Sequence, residues 1–366
     1  MKDQSETNRL FFLLAISVVQ ILISSLLLNY LSMENWSAVF AEDSEGYILA
    51  ARFFSGLDAP PESLQLLKYR LFSPLIPLLA SLIGLIVPLE YAFFILNCFF
   101  WIAAVYCVYR LSEILINPQL AYCCALLFAT SLPLIVWGLP IMVDMASFFM
   151  AALSCLLIIN GSHKKAAWPL LALTLALAIL TKPNLISLVL FFVFYAGRGK
   201  EYGKAVLVTA VSLSLVGGIY LLLGLRLEDF LTLGYLRHRG PVYVANALVF
   251  CFHWGLPLAA WGFTAAQKHR SFYLTYLLSA FGCYLAFVHN PRLLFITFPA
   301  VLPLVVQGME LLTRETARRW SLHPQRFLTS LTVGYMLTSN ILAALYLYIT
   351  RVLQYRSVES ITNFPG

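Results

Sequence analysis

The chain has 366 residues, 61% of them hydrophobic and only 11% charged, with a mean hydropathy of +0.83. This composition excludes a soluble globular domain and describes a polytopic integral membrane protein, all-α, with residues 1–366 forming a single polytopic membrane domain and no soluble domain. The net charge of +7 would suggest nucleic acid in a soluble chain, but here it reports which side of the membrane each loop occupies, and no nucleic-acid partner is expected.

The first apolar run, Leu10 to Leu31, is too long for a signal-peptide core and reads as a retained anchor. Lys2 and Arg9 before it place the N-terminus on the cytoplasmic side. Residues 32–89 form the first outer loop, in which Ser44 to Ser55 reads as a short amphipathic helix carrying Tyr47, Ile48, Ala51 and Phe54 on one face. The run from Leu71 to Val87, broken by Pro74, Pro77 and Gly84, is read as an outer juxtamembrane helix that does not cross. The remaining spans are then roughly 90–110, 119–137, 144–160, 166–181, 184–197, 204–225, 244–263, 271–288, 293–312 and 327–349. With the anchor they make about 11 transmembrane helices.

Charge supports that choice. Lys164, Lys165, Arg198, Lys200, Lys268, Arg270, Arg314, Arg318, Arg319 and Arg326 fall inside, whereas most acids fall outside. Letting the broken helix cross would move the arginines between 314 and 326 to the outer face. All seven cysteines lie within apolar runs, so neither a disulfide framework nor a thiolate metal site is indicated.

Ionisable groups at the membrane rim are costly and mark candidate functional positions. Asp43 heads the short helix of the first loop, beside Glu42 and Glu45, and could be a helix cap, or else a general base or metal ligand. Asp144 opens a span among Ile141, Met142, Val143 and Met145, with the same two readings. Lys182, at the tip of an intramembrane hairpin, suits a helix C-terminus and could equally bind an anion. In His289-Asn290-Pro291-Arg292, Asn290 and Pro291 suit a helix start, which puts Arg292 in a first turn where a cation is disfavoured unless an anion binds there. Arg237 and Arg239, with His238, and Lys68-Tyr69-Arg70 add positive charge to the outer side. Walker A, GxSxG, HExxH and Rossmann motifs are all missing.

The order of these motifs resembles the GT-C superfamily of membrane glycosyltransferases over about residues 10–310. The matching stretches are Asp43 to Tyr47, Tyr69-Arg70-Leu71-Phe72-Ser73-Pro74, Val143-Asp144-Met145, Leu180-Thr181-Lys182 and Pro291-Arg292-Leu293-Leu294-Phe295. The branch with the nearest flavour holds protein O-mannosyltransferases and lipid A aminoarabinose transferases. The resemblance implies a polyprenyl-phosphate-linked sugar donor and a glycan, lipid or protein acceptor, with the active site facing outside, as in a bacterial inner membrane. It also implies Asp43, Glu45 and Asp144 as catalytic acids, a divalent metal (Mg or Mn) that Asp43 and Asp144 could hold, and donor phosphate binding by Lys182, Arg292, His289, Arg237, Arg239 and Arg70. One departure is that Ser44 separates Asp43 from Glu45, where some members have an adjacent acidic pair. A transporter or flippase for a lipid-linked glycan is the alternative, since it too would need outer-face cations for phosphate.

Overall fold

The computed structural model describes residues 2–30, 44–57, 60–161, 167–226, 228, 255–287, 296–321 and 323–362, and among these there is no strand. The helices are α1 (Lys2–Tyr30), α2 (Ser44–Phe54), α3 (Leu64–Leu71), α4 (Leu75–Ile83), α5 (Leu89–Leu115), α6 (Pro118–Ala129), α7 (Leu132–Gly138) and α8 (Asp144–Gly161). They continue as α9 (Trp168–Thr181), α10 (Ile186–Arg198), α11 (Tyr202–Leu222), α12 (Leu256–Ala265), α13 (Arg270–Phe287), α14 (Phe298–Trp320) and α15 (Pro324–Thr362). Among the described residues four helices are long and apolar enough to cross a membrane unaided: Glu6–Asn29 within α1, α5, α11, and Pro324–Leu345 within α15.

In place of the helix expected over Leu71 to Val87 there is a shorter one, α4, preceded by α3. Helices α3 and α4 meet at a bend of 103° around Phe72-Ser73-Pro74. With nine residues, α4 is about 13 Å long, well short of the ~30 Å hydrocarbon core. The bend frees the Phe72 carbonyl, which accepts the Tyr220 hydroxyl of α11 at 2.9 Å, while the two rings meet edge to face.

The expected span at 119–137 is instead two helices, α6 and α7, separated at Thr130 and Ser131. Pro133 explains the break, because its ring cannot follow the carbonyl of Ala129 and it offers no N–H. The exposed backbone is served from a distance: Asn340 of α15 donates to the Thr130 carbonyl at 2.8 Å and accepts the Leu132 N–H at 2.9 Å. Helix α15 also runs on through Thr362, since no Gly or Pro after residue 349 stops it before that point.

The core forms where α5, α6, α8 and α14 converge. Trp101 stacks on Phe128 at 4.5 Å and Phe128 on Phe298 at 4.6 Å, with Phe148 set edge-on against all three rings. Helix α1 packs against α5 and α6 along a stripe of Leu13, Ser17, Ile21, Ser24 and Leu28, and Glu6 pairs with Arg110 at 3.0 Å. Helices α12 and α14 cross at two glycines, where a Cβ on Gly262 would strike the Leu304 carbonyl and one on Gly308 the Leu258 carbonyl.

Candidate functional site

The site grows from the segment between α7 and α8. Leu139, Ile141, Met142 and Val143 are all buried, so the peptide groups of this irregular stretch need partners inside the protein. Asn97, fully buried on α5, supplies two: its amide nitrogen donates to the carbonyls of Leu139 at 3.2 Å and Pro140 at 2.7 Å. Helix α8 then starts at Asp144, whose carboxylate lies at the positive end of the helix dipole and is 2% exposed.

The partner of Asp144 comes from the hairpin of α9 and α10. Pro183 ends α9, and Lys182 takes an extended conformation (φ −158°) before a single 3-10 turn, Pro183–Leu185. Its Nζ reaches Asp144 Oδ1 at 2.5 Å, with side-chain exposures of 13% and 3%. Each residue occupies the helix end that suits its charge, and the same placement brings the two charges into contact. A buried pair of this kind repays its desolvation only through close geometry, and removing one partner strands the other.

The first loop docks beside this pair. Ser44, the first residue of α2, is buried, and its hydroxyl donates to the Ile141 carbonyl at 3.3 Å, three residues before Asp144. One turn along α2, the Tyr47 hydroxyl receives Arg70 Nη1 at 3.3 Å. The Arg70 guanidinium stacks over the rings of Tyr47 (4.6 Å) and Tyr69 (4.7 Å) and is 9% exposed. Glycine at 46 permits this approach, since a Cβ there would lie 2.8 Å from Arg70 Cγ.

Of the residues expected to act, the structure thus joins Asp144 to Lys182 and places Arg70 between two tyrosines. Glu45 points outward, exposed, while its neighbours Ser44, Gly46 and Tyr47 are buried. Asp43, Arg237, Arg239, His289 and Arg292 lie outside the described residues. Among the described residues no group of three or more His, Cys, Asp or Glu side chains is gathered, and Asp144 bonds the Lys182 ammonium. Sequence reasoning missed Asn97 and Asn184; the second keeps both amide atoms buried without a hydrogen-bond partner two residues past Lys182. The available signal was an amide within an apolar run, which in a membrane has to be satisfied internally.

No protein-family model matches the sequence, and no curated protein matches it. Solved structures do. The Archaeoglobus fulgidus oligosaccharyltransferase in complex with Zn and sulfate is similar at a TM-score of 0.56 and 16% identity, over 90% of this chain and 53% of that one. Its apo form gives 0.58 and 15%, over 92% and 56%. The form tethered by a disulfide to an acceptor peptide containing the NVT sequon gives 0.53 and 14%, over 92% and 55%. The chain spans about half the length of these structures, and at such identities what it shares with the archaeal oligosaccharyltransferase is the fold.

Proposed function

We propose that this protein is a GT-C-type membrane glycosyltransferase that transfers a sugar from a polyprenyl-phosphate donor to an acceptor at the non-cytoplasmic face. The observation that carries this reading is the buried Asp144–Lys182 pair beside the N-terminus of α2, the helix that begins directly after Asp43, in a fold shared with an oligosaccharyltransferase. Supporting it are the one-sided distribution of acids and cations in the sequence and the bent α3–α4 pair in the first loop. In this reading the chain is one polytopic domain of eleven spans, with its N-terminus inside.

The chemistry follows from the groups assembled. An acceptor hydroxyl oxygen bonds to the anomeric carbon, the bond from that carbon to the lipid phosphate breaks, and the phosphate leaves with the electron pair. Asp43, one residue before the docked Ser44, takes the hydroxyl proton as general base. Asp144 and Lys182 add a fixed carboxylate and ammonium beside the start of α2, and Arg292 with His289 neutralises the leaving phosphate, as a cation and a helix start would. Arg70 ties α3 to α2 through Tyr47. The described residues hold no observation that favours a transporter or flippase.

The test is a transfer assay on purified protein with a labelled polyprenyl-phosphate sugar. Asp43→Asn is expected to lose about 100-fold or more in rate, the usual weight of a positioned base. A folded Asp43→Asn protein with full activity would sink the assignment.

A further inference from the structure

Helix α10 packs against both α11 and α13, and a groove of about 1020 Å³ runs along these three helices. Its surface is almost wholly apolar, with Phe194 and Gly197 from α10, Ala205 from α11 and Leu278 from α13. Small residues form the floor, and the walls, Phe194 at 55% and Leu278 at 68% exposure, stand open to the surroundings. Along α11 the groove runs from Tyr202 to Ala210, about 12 Å, most of one ~15 Å hydrocarbon leaflet.

One end is charged. Arg198, in the last turn of α10, lines the groove and donates to the Ser271 hydroxyl at 2.8 Å. Lys200 follows Arg198 by two positions in the chain, and Lys268 and Arg270 precede Ser271, with the Arg270 guanidinium 5.1 Å over the Phe263 ring. Among the described residues none of these four cations forms an ion pair; Glu201, the acid at this corner, is taken by Lys204 at 3.1 Å. Thr209 presents a second polar feature in the wall, a buried hydroxyl with no hydrogen-bond partner.

From this juxtaposition we infer that the α10–α11–α13 groove is a binding site for an anionic phospholipid. One acyl chain lies along the apolar floor and the phosphodiester meets Arg198. Charge selects the occupant. A zwitterionic headgroup brings its own cation to an end that already holds Arg198, whereas phosphatidylglycerol brings a net negative charge. Each basic residue near a membrane surface is worth about 1 kcal/mol toward anionic lipid, or about fivefold in affinity.

The experiment is native mass spectrometry of the full chain in neutral detergent, titrated with phosphatidylglycerol or phosphatidylcholine of identical acyl chains. Wild type is expected to hold one phosphatidylglycerol at least tenfold more strongly than phosphatidylcholine. Arg198→Gln should weaken the first about fivefold and leave the second unchanged. Ala210→Phe, at an exposed position that lines the groove, should displace the acyl chain and lower retention of both, with the helical signal and unfolding midpoint kept. Equal retention of the two lipids by wild type, or phosphatidylglycerol retention unaltered in both variants, overturns the assignment. Displacement of bound phosphatidylglycerol by equimolar polyprenyl phosphate also overturns it. The measurement involves no sugar transfer, so its outcome is independent of the catalytic proposal.

Discussion

Asp144 and Lys182 meet at 2.5 Å with little water around them, and this fixes how substitutions there must be interpreted. Removing either charge leaves its partner buried and uncompensated, a loss of about 3–5 kcal/mol. Asp144→Asn and Lys182→Met should therefore each lower the unfolding midpoint, and the double variant should recover most of the loss. Transfer activity should stay low in all three, because the recovered protein still lacks the charges beside α2. Activity returning together with stability in the double variant would reduce the pair to a structural role. These two residues were legible in the sequence because a charge amid apolar neighbours is rare and expensive. Their direct bond was not, since it depends on the proline-ended α9 presenting Lys182 to the start of α8. Arg70 was likewise visible as a cation, whereas its stacking against Tyr47 follows from the absence of a Cβ at Gly46.

Among the elements, α12 and α14 show most plainly how small residues assemble helices in a membrane. Apolar side chains gain little by leaving lipid for protein, so close backbone approach and dispersion do the work. Gly262 faces the Leu304 carbonyl and Gly308 faces that of Leu258, a reciprocal contact with no room for a methyl group. Gly262→Val or Gly308→Val should force the helices apart and cost about 1–3 kcal/mol or more in an unfolding titration. Gly217→Val and Gly218→Val on α11 are the controls, since a Cβ at either meets nothing within 4 Å and stability should hardly change. Equal effects at the two pairs would mean that helix propensity, not contact, governs. At this scale apolar length and proline position located α2, α5, α9 and α10 well, whereas α3 lies before the run expected to be helical. The split of α6 from α7 escaped because hydropathy averages across Pro133, and the rescue by Asn340 comes from a helix some 200 positions away along the chain.

For the whole molecule, the short helices α6, α8, α9 and α10 depend on their protein surroundings to lie in a membrane. Each has fewer than the ~20 residues of a standard span, yet α8 and α9 are largely buried within protein, where irregular backbone is tolerated. The eleven-span arrangement makes a concrete forecast. A cysteine introduced at Lys164 should react with an impermeant thiol reagent only after permeabilisation, and one at Asp58 should react from outside. Labelling at 164 in intact cells would overturn the topology and move every later loop to the opposite side.

In order of synthesis, Trp101, Phe128 and Phe148 emerge long before Phe298, the ring that stacks on Phe128 and closes their cluster. The helices that carry Asp144 and Lys182 are therefore made early, whereas their aromatic keystone arrives only when α14 does. The Ile296 carbonyl, bonded to the Tyr276 hydroxyl, sets that helix against α13 as it enters. A ribosome that has completed the Asp144–Lys182 hairpin has thus built the site's framework but not yet its lock, and closure of the core falls to the last third of the chain.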